Sequence, residues 1–259
     1  MKILTMRKIM SIAALVLGLG AFTNAGAAVI NGVNWANVYD PDVSGNNALP
    51  NVPPNTWTLA TAGNSTATIT SNYLTISDSA VTDNRSYTNA SGWDMTNGMS
   101  VEARVQMVTP IGTSPIGQIR IGNASKYIYI DFDQTKISYV GLTGIQTTIA
   151  SGLDLSVFAT VRLTLDSSLN LNVYVNNNSA PVGTLTSAVF GSAAANNIIF
   201  GDITSTGAIA AGGTSNWDYI AYTAGVFPVP EAGSVALLSL GLLPVCFVLH
   251  RKRRSGSKG

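Results

Sequence analysis

Between residues 29 and 227 the side chains best able to do acid–base chemistry are carboxylates, because the only cysteine is Cys246 and the only histidine is His250. Serine–histidine and cysteine–histidine catalysis, and zinc sites built on those residues, are therefore excluded from that stretch. Hydrolysis of a glycosidic bond stays open, since it needs only two carboxyl groups at a suitable separation. Two groups of acids come forward. Glu102, the one glutamate of the stretch, stands two residues before Arg104, and the two read as a solvated surface pair that adds little stability. Asp131 and Asp133 continue the alternation of Tyr127 and Tyr129, so the four share one strand face. Rings and carboxylates so placed suit stacking and hydrogen bonding to a sugar, or oxygen ligation of a hard cation. The plain alternative is a polar outer face that ends in a turn at Asp133-Gln134. Trp93, between Gly92 and Asp94, is expected as an exposed ring, and Trp217 as a core or sheet-edge one.

These residues must be positioned by strands. After Trp57 the chain runs in short segments rich in Thr, Val, Ile and Tyr, separated by Gly, Asn, Asp and Ser, and no stretch from 57 to 226 has a helical period. Met99, Val101, Ala103, Val105 and Met107 alternate with Ser100, Glu102, Arg104 and Gln106, the pattern of a half-buried antiparallel strand. Ile128, Ile130 and Phe132 are expected to face inward, opposite the Tyr127 face. Residues 161–165 and 169–175 alternate about Asp166-Ser167-Ser168 and predict a hairpin. Shorter strands are expected at 57–61, 66–70, 73–77, 85–89, 118–121, 136–140, 198–201 and 216–223. Around a dozen such strands imply an all-β antiparallel sandwich. Residues 29–54 read as irregular, pinned by Trp35 and Tyr39. No internal repeat of propeller or solenoid type is present.

The two ends read as addresses. Lys2, Arg7 and Lys8, then apolar Ile9–Phe22, then Ala25-Gly26-Ala27, predict a signal peptide over 1–28 read by signal peptidase, with a retained N-terminal anchor as the alternative. Ala232–Leu249 is a run of 18 uncharged residues closed by His250-Arg251-Lys252-Arg253-Arg254. As a helix it spans roughly 27 Å, enough to cross a bilayer, with the basic tail 250–259 held in the cytoplasm. A buried core helix is the bland alternative. With the ends set aside, six basic residues face twelve acidic ones between 29 and 227, a net charge of −6 behind a whole-chain value of +1. Such a surface argues against nucleic acid as a partner. No disulfide can brace this part of the chain, so its core alone must hold it.

Val229-Pro230-Glu231-Ala232, the apolar run and the basic tail together resemble the PEP-CTERM sorting signal of bacterial exported proteins, with Ala232 where that family usually carries a second proline. The resemblance implies recognition by an exosortase-like membrane enzyme, anchoring through the C-terminal helix or release to the surface after sorting, and a tie to extracellular polysaccharide. A plain membrane anchor is the alternative. Separately, FATVRLTLDSSLNLNVYVNN, NNIIFGDIT and SNWDYIAYT resemble the closing strands of laminin-G-like, concanavalin-A-like jelly rolls. That implies one jelly-roll domain over 29–227, with 228–259 as the sorting signal. Glucanases of this class carry a Glu-x-Asp-x-x-Glu run, whereas this chain has Glu102-Ala103-Arg104, which speaks against catalysis. Related jelly rolls also hold Ca²⁺ through loop oxygens, for which Asp78, Asp83 with Asn84, and Asp202 are the candidates. The expectation is thus a non-catalytic surface protein that binds carbohydrate or adheres. A glycosidase, or a structural protein with no glycan ligand, is the alternative.

Overall fold

Short runs of alternating apolar and polar residues turn about half of the described chain into strand. The computed structural model describes residues 28–42, 47–70, 72–192, 195–204 and 211–227. The expected signal peptide, apart from Ala28, and the expected sorting signal, with Val229, Pro230, Glu231, Ala232 and the apolar run, lie outside the described residues. No helix among the described residues is long and apolar enough to cross a membrane.

The strands are β1 (Ala28–Ile30), β2 (Val33–Trp35), β3 (Asn37–Tyr39), β4 (Thr58–Ala62), β5 (Thr66–Thr70), β6 (Tyr73–Ser77), β7 (Asn84–Asn89), β8 (Met99–Pro110) and β9 (Gly117–Gly122). They continue as β10 (Lys126–Phe132), β11 (Lys136–Val140), β12 (Thr147–Ser151), β13 (Ala159–Leu165), β14 (Leu171–Val175), β15 (Gly183–Leu185), β16 (Gly191–Ser192), β17 (Asn197–Asp202) and β18 (Gly213–Ala224). A 3-10 turn spans Ser187–Val189. Two antiparallel sheets result. The first has the order β12-β11-β10-β9-β17-β7-β4, with β16 beside β10. The second has the order β15-β14-β13-β8-β18-β6-β5, with β3 beside β18, and β1–β2 forms a separate hairpin. The chain is an all-β sandwich.

Apolar residues from alternate positions meet between the sheets: Val101, Ala103 and Val105 of β8 and Leu163 of β13 on one side, Ile119 of β9 and Phe200 of β17 on the other. Trp217 is fully buried; its Nε1–H donates to Ser215 Oγ (2.9 Å) and its ring lies 5.0 Å from that of Phe200. At Asp218 the ladder between β18 and β8 shifts register. This extra residue changes the parity of β18, so Trp217 and Ile220 both point to the core while Tyr219 points away from it.

The β13–β14 hairpin forms, but its turn is longer than the three residues expected. Leu169 leaves the ladder with φ 62°, and Asp166 Oδ1 accepts N–H groups from Ser168 and Asn170, each at 2.8 Å. An aspartate that can bind the turn's own amides competes with the ladder and wins here. The described residues 29–42 hold more strand than the irregular path expected of them. Asn31 (φ 49°) and Gly32 (φ 77°) close the β1–β2 hairpin, as a two-residue Asn-Gly turn with both residues left-handed should. Trp35 and Tyr39 are fully buried, as expected of anchors. Trp35 packs with Val33, Tyr219 and Ala221 on the outer face of β18, and Tyr39 joins the main core.

Candidate functional site

The register of the first sheet sets which side chains share its outer face. Tyr129 stands opposite Arg120 of β9 and Val140 of β11, and Asp131 opposite Gln118 and Ser138. Arg120 in turn faces Ile199 of β17. Tyr127 has glycine on both sides, Gly122 on β9 and Gly191 on β16. A Cβ on Gly191 would come within 2.6 Å of Tyr127 Cζ, so only glycine lets the ring lean over that strand. The two tyrosine rings meet edge to face, 5.6 Å apart. The Arg120 guanidinium lies 5.2 Å and 5.9 Å from their centroids and donates to Asn197 Oδ1 at 2.9 Å. Cation–π contact and the ring pair hold both tyrosines in one orientation. Both remain half-exposed. Partial burial raises the Tyr129 hydroxyl above its ordinary range, and the Arg120 charge works against that rise.

Asp131 departs from expectation. It lies on this outer face but is buried, at 1% exposure. Gln118 Nε2 donates to one oxygen and Gln146 Nε2, from the loop before β12, to the other, both at 2.9 Å. Burial pushes its carboxyl up to about 6 against the pull of the two amide hydrogen bonds. A carboxylate so enclosed fixes the loop and is not presented to a ligand. Asp133 starts a turn: its N–H donates to Lys136 O at 3.1 Å, and Lys136 Nζ sits 3.9 Å from Oδ2.

Trp93 is not an exposed ring. It is 3% exposed, its Nε1–H donates to Gly122 O at 2.7 Å, and it packs edge-on against Tyr222. The flanking Gly92 and Asp94 are themselves exposed, while the ring between them turns inward.

Glu102 and Arg104 are not a surface pair either. Glu102 is fully buried and accepts Arg162 Nε–H at 2.6 Å on Oε2. Its Oε1 accepts Tyr219 O–H at 2.8 Å and Asn31 Nδ2–H at 2.7 Å. Arg162 also donates to Phe227 O at 3.3 Å and lies over the Trp35 ring. Arg104 pairs instead with Asp218, the bulge residue. The signal that reassigns Glu102 is Arg162, directly opposite it across the β8–β13 ladder. Glu102 and Asp131 therefore sit on outward faces of opposite sheets, with the core between them. The structure does not bring Glu102, Asp131 and Asp133 together as a facing acid pair.

The Ca²⁺ candidates do converge, at one rim. Asp78 follows β6, Asp202 ends β17, and Asn84 begins β7. Asp83 is committed to the turn before β7: its carboxylate accepts N–H groups from Asn64, Ser79 and Ala80 and the Ser79 hydroxyl, which hold it below the usual range. Asp202 is fully buried, and neither of its oxygens has a donor; Asp78 Oδ1 and Asn84 Oδ1 also lack one. Burial raises both acids, Asp78 to about 6 and Asp202 to about 9, the latter also through the charge of Asp78. Two buried carboxyl groups that oppose each other are relieved when one keeps its proton and donates it to the other. Among the described residues no three acidic, His or Cys side chains are grouped to hold a metal ion, whereas Ca²⁺ takes six to eight oxygens.

No protein-family model matches the chain, and no curated protein matches it in sequence. Among solved structures it is similar to a carbohydrate esterase from the Shiga toxin-encoding bacteriophage phi24B, with TM-score 0.51, 14% identity, and 73% of this chain aligned over 97% of that one. It is similar also to the cellulose induced protein Cip1, with TM-score 0.52, 12% identity, and 74% of this chain aligned over 99% of that one. At these identities the likeness is one of fold: nearly the whole of each relative is matched by this sandwich.

Proposed function

We propose that this chain is an exported, non-catalytic surface module of jelly-roll type that binds extracellular saccharide on the outer face of its first sheet. The carrying observation is the Tyr127–Tyr129 pair, half-exposed, locked by Arg120 and Asn197, and flanked by Gly122 and Gly191. A ring held in one orientation at the surface offers a flat face for a sugar to stack on, with the Arg120 guanidinium alongside. A second surface ring pair, Tyr73–Phe158, lies beside Arg104, whose charge Asp218 already neutralises. Arg120 makes no ion pair among the described residues. The two solved folds support the reading to the extent that a bacteriophage carbohydrate esterase uses the same sandwich. The separation of Glu102 from Asp131 and Asp133 favours binding over glycoside hydrolysis.

The terminal segments complete the proposal. A signal peptidase removes the leader, and an exosortase-like enzyme reads Val229-Pro230-Glu231-Ala232 while the apolar run holds the membrane. Mass spectrometry of the mature C-terminus checks sorting: loss of the Arg251–Arg254 tail is expected, and its retention in wild-type cells favours a plain anchor. For the ligand, the purified chain is applied to an array of neutral and acidic bacterial polysaccharides. Tyr127→Ala is expected to weaken the strongest signal by about tenfold or more, the loss of roughly 1.4 kcal/mol. Binding that is absent throughout, or unchanged in Tyr127→Ala, contradicts the proposal.

A further inference from the structure

On one flank of the sandwich both sheets end in bare strands. Among the described residues β4 pairs only with β7, and β5 only with β6. The two are joined through Gly63, Asn64 and Ser65, and no charged residue occurs from Val43 to Ser77. Neither strand holds a proline, and neither ladder shows a register shift. Natural sheets usually blunt such edges with lysine, proline or a bulge, because open N–H and C=O groups template another strand. The opposite flank has these devices. There β15 is only three residues long and closely follows Pro181, while the β11–β12 ladder is broken between Ile137 and Ser138. The two edge strands also touch, since a Cβ on Gly183 would lie 2.2 Å from Ile149 Cγ2.

The sequence of β5 indicates the occupant. Thr66, Thr68 and Thr70 are exposed, while Ala67 and Ile69 are half-buried against the core. The strand has the same face pattern read in either direction. Laid antiparallel against itself about Thr68, it puts threonine opposite threonine at 66–70 and 68–68, and Ala67 opposite Ile69. A two-fold axis normal to the sheet keeps all threonines on the outer side and carries the apolar side chains across the joint. Thr–Thr cross-strand pairs stabilise such contacts, and an isologous two-fold pairing closes on itself as a dimer.

We propose that a second copy of this chain adds along Thr66–Thr70, antiparallel and centred on Thr68, so that the second sheet continues from one copy into the other. The contact is independent of any ligand on the first sheet. In the full chain with Cys246→Ser, Thr68→Cys places one thiol from each copy at the two-fold. Directly opposed antiparallel residues have Cα atoms about 4.5–5.5 Å apart, within disulfide reach. Mild oxidation is expected to double the mass of Thr68→Cys, while Thr113→Cys, exposed in the loop after β8, stays single. Thr68→Lys is expected to halve the sedimenting mass of the unsubstituted chain, with an unchanged circular dichroism spectrum because the site is exposed. The proposal is overturned by any of three results: Thr68→Cys cross-linking no more than Thr113→Cys, cross-linking to a different protein, or Thr68→Lys leaving the mass unaltered.

Discussion

Glu102→Leu is expected to destabilise the fold by about 3–5 kcal/mol, because it leaves the Arg162 guanidinium charged and uncompensated in the interior. Arg162 is 1% exposed and Glu102 fully buried, so water cannot replace the lost partner. The change also frees the Tyr219 hydroxyl and the Asn31 amide, both of which donate to Glu102. Asn31 closes the first hairpin, and Phe227, near the end of the described chain, accepts from Arg162. One ion pair thus ties together the two ends of the sandwich. Urea unfolding gives the comparison. The double change Glu102→Leu with Arg162→Met is expected to recover much of the loss, since apolar side chains of similar size often replace a buried pair at little cost. A single Glu102→Leu within about 0.5 kcal/mol of the parent would mean that the pair is solvated after all.

Asp202→Asn is expected to stabilise the protein at about pH 8 and to change it little at about pH 4. In the fold, burial and mutual repulsion raise Asp78 to about 6 and Asp202 to about 9, well above their ordinary value of 3.8. A carboxyl raised in this way holds its proton more firmly folded than unfolded. Its contribution is full below about pH 4 and is lost as pH rises through the folded values. Asp131, raised to about 6, acts in the same direction. The parent Tm should therefore fall between about pH 5 and pH 9, and Asp202→Asn should flatten that slope. Chelation of divalent ions should leave the Tm at about pH 8 unchanged. A Ca²⁺-dependent rise in the parent, lost in Asp202→Asn, would instead place a cation between the two carboxylates.

Alternation made much of the fold legible. Met99–Val108 and the 161–165 segment lie within strands where the period of two is strict, and each inward apolar residue entered the core. What escaped was set by contacts that a period does not encode. Asn31-Gly32 is a strong hairpin signal, yet the three-residue strands beside it are too short to show alternation. β12 and β15, Thr147–Ser151 and Gly183–Leu185, are edge strands that each set one large apolar residue on the core, Ile149 and Leu185, too few to show a period. Glu102 lies on the outward face that alternation predicts, but its partner is Arg162 across the ladder and not Arg104 on its own strand. The β1–β2 hairpin that buries this outer face could not be seen from β8 alone. The face of Tyr127 and Tyr129 was visible in the sequence, whereas its organising cation Arg120 came from β9, and only the register joined them. The loop amide of Gln146 that closes over Asp131 left no local signal either.

The most direct measurement is a crystal structure of the chain with the oligosaccharide that scores highest on the array. A sugar ring stacked about 3.5–4 Å from the Tyr127 ring, with a hydroxyl on Arg120 or Asn197, is the expected result. A sugar seated at the Asp78–Asp202 rim, or beside Tyr73 and Phe158 on the other sheet, would contradict it.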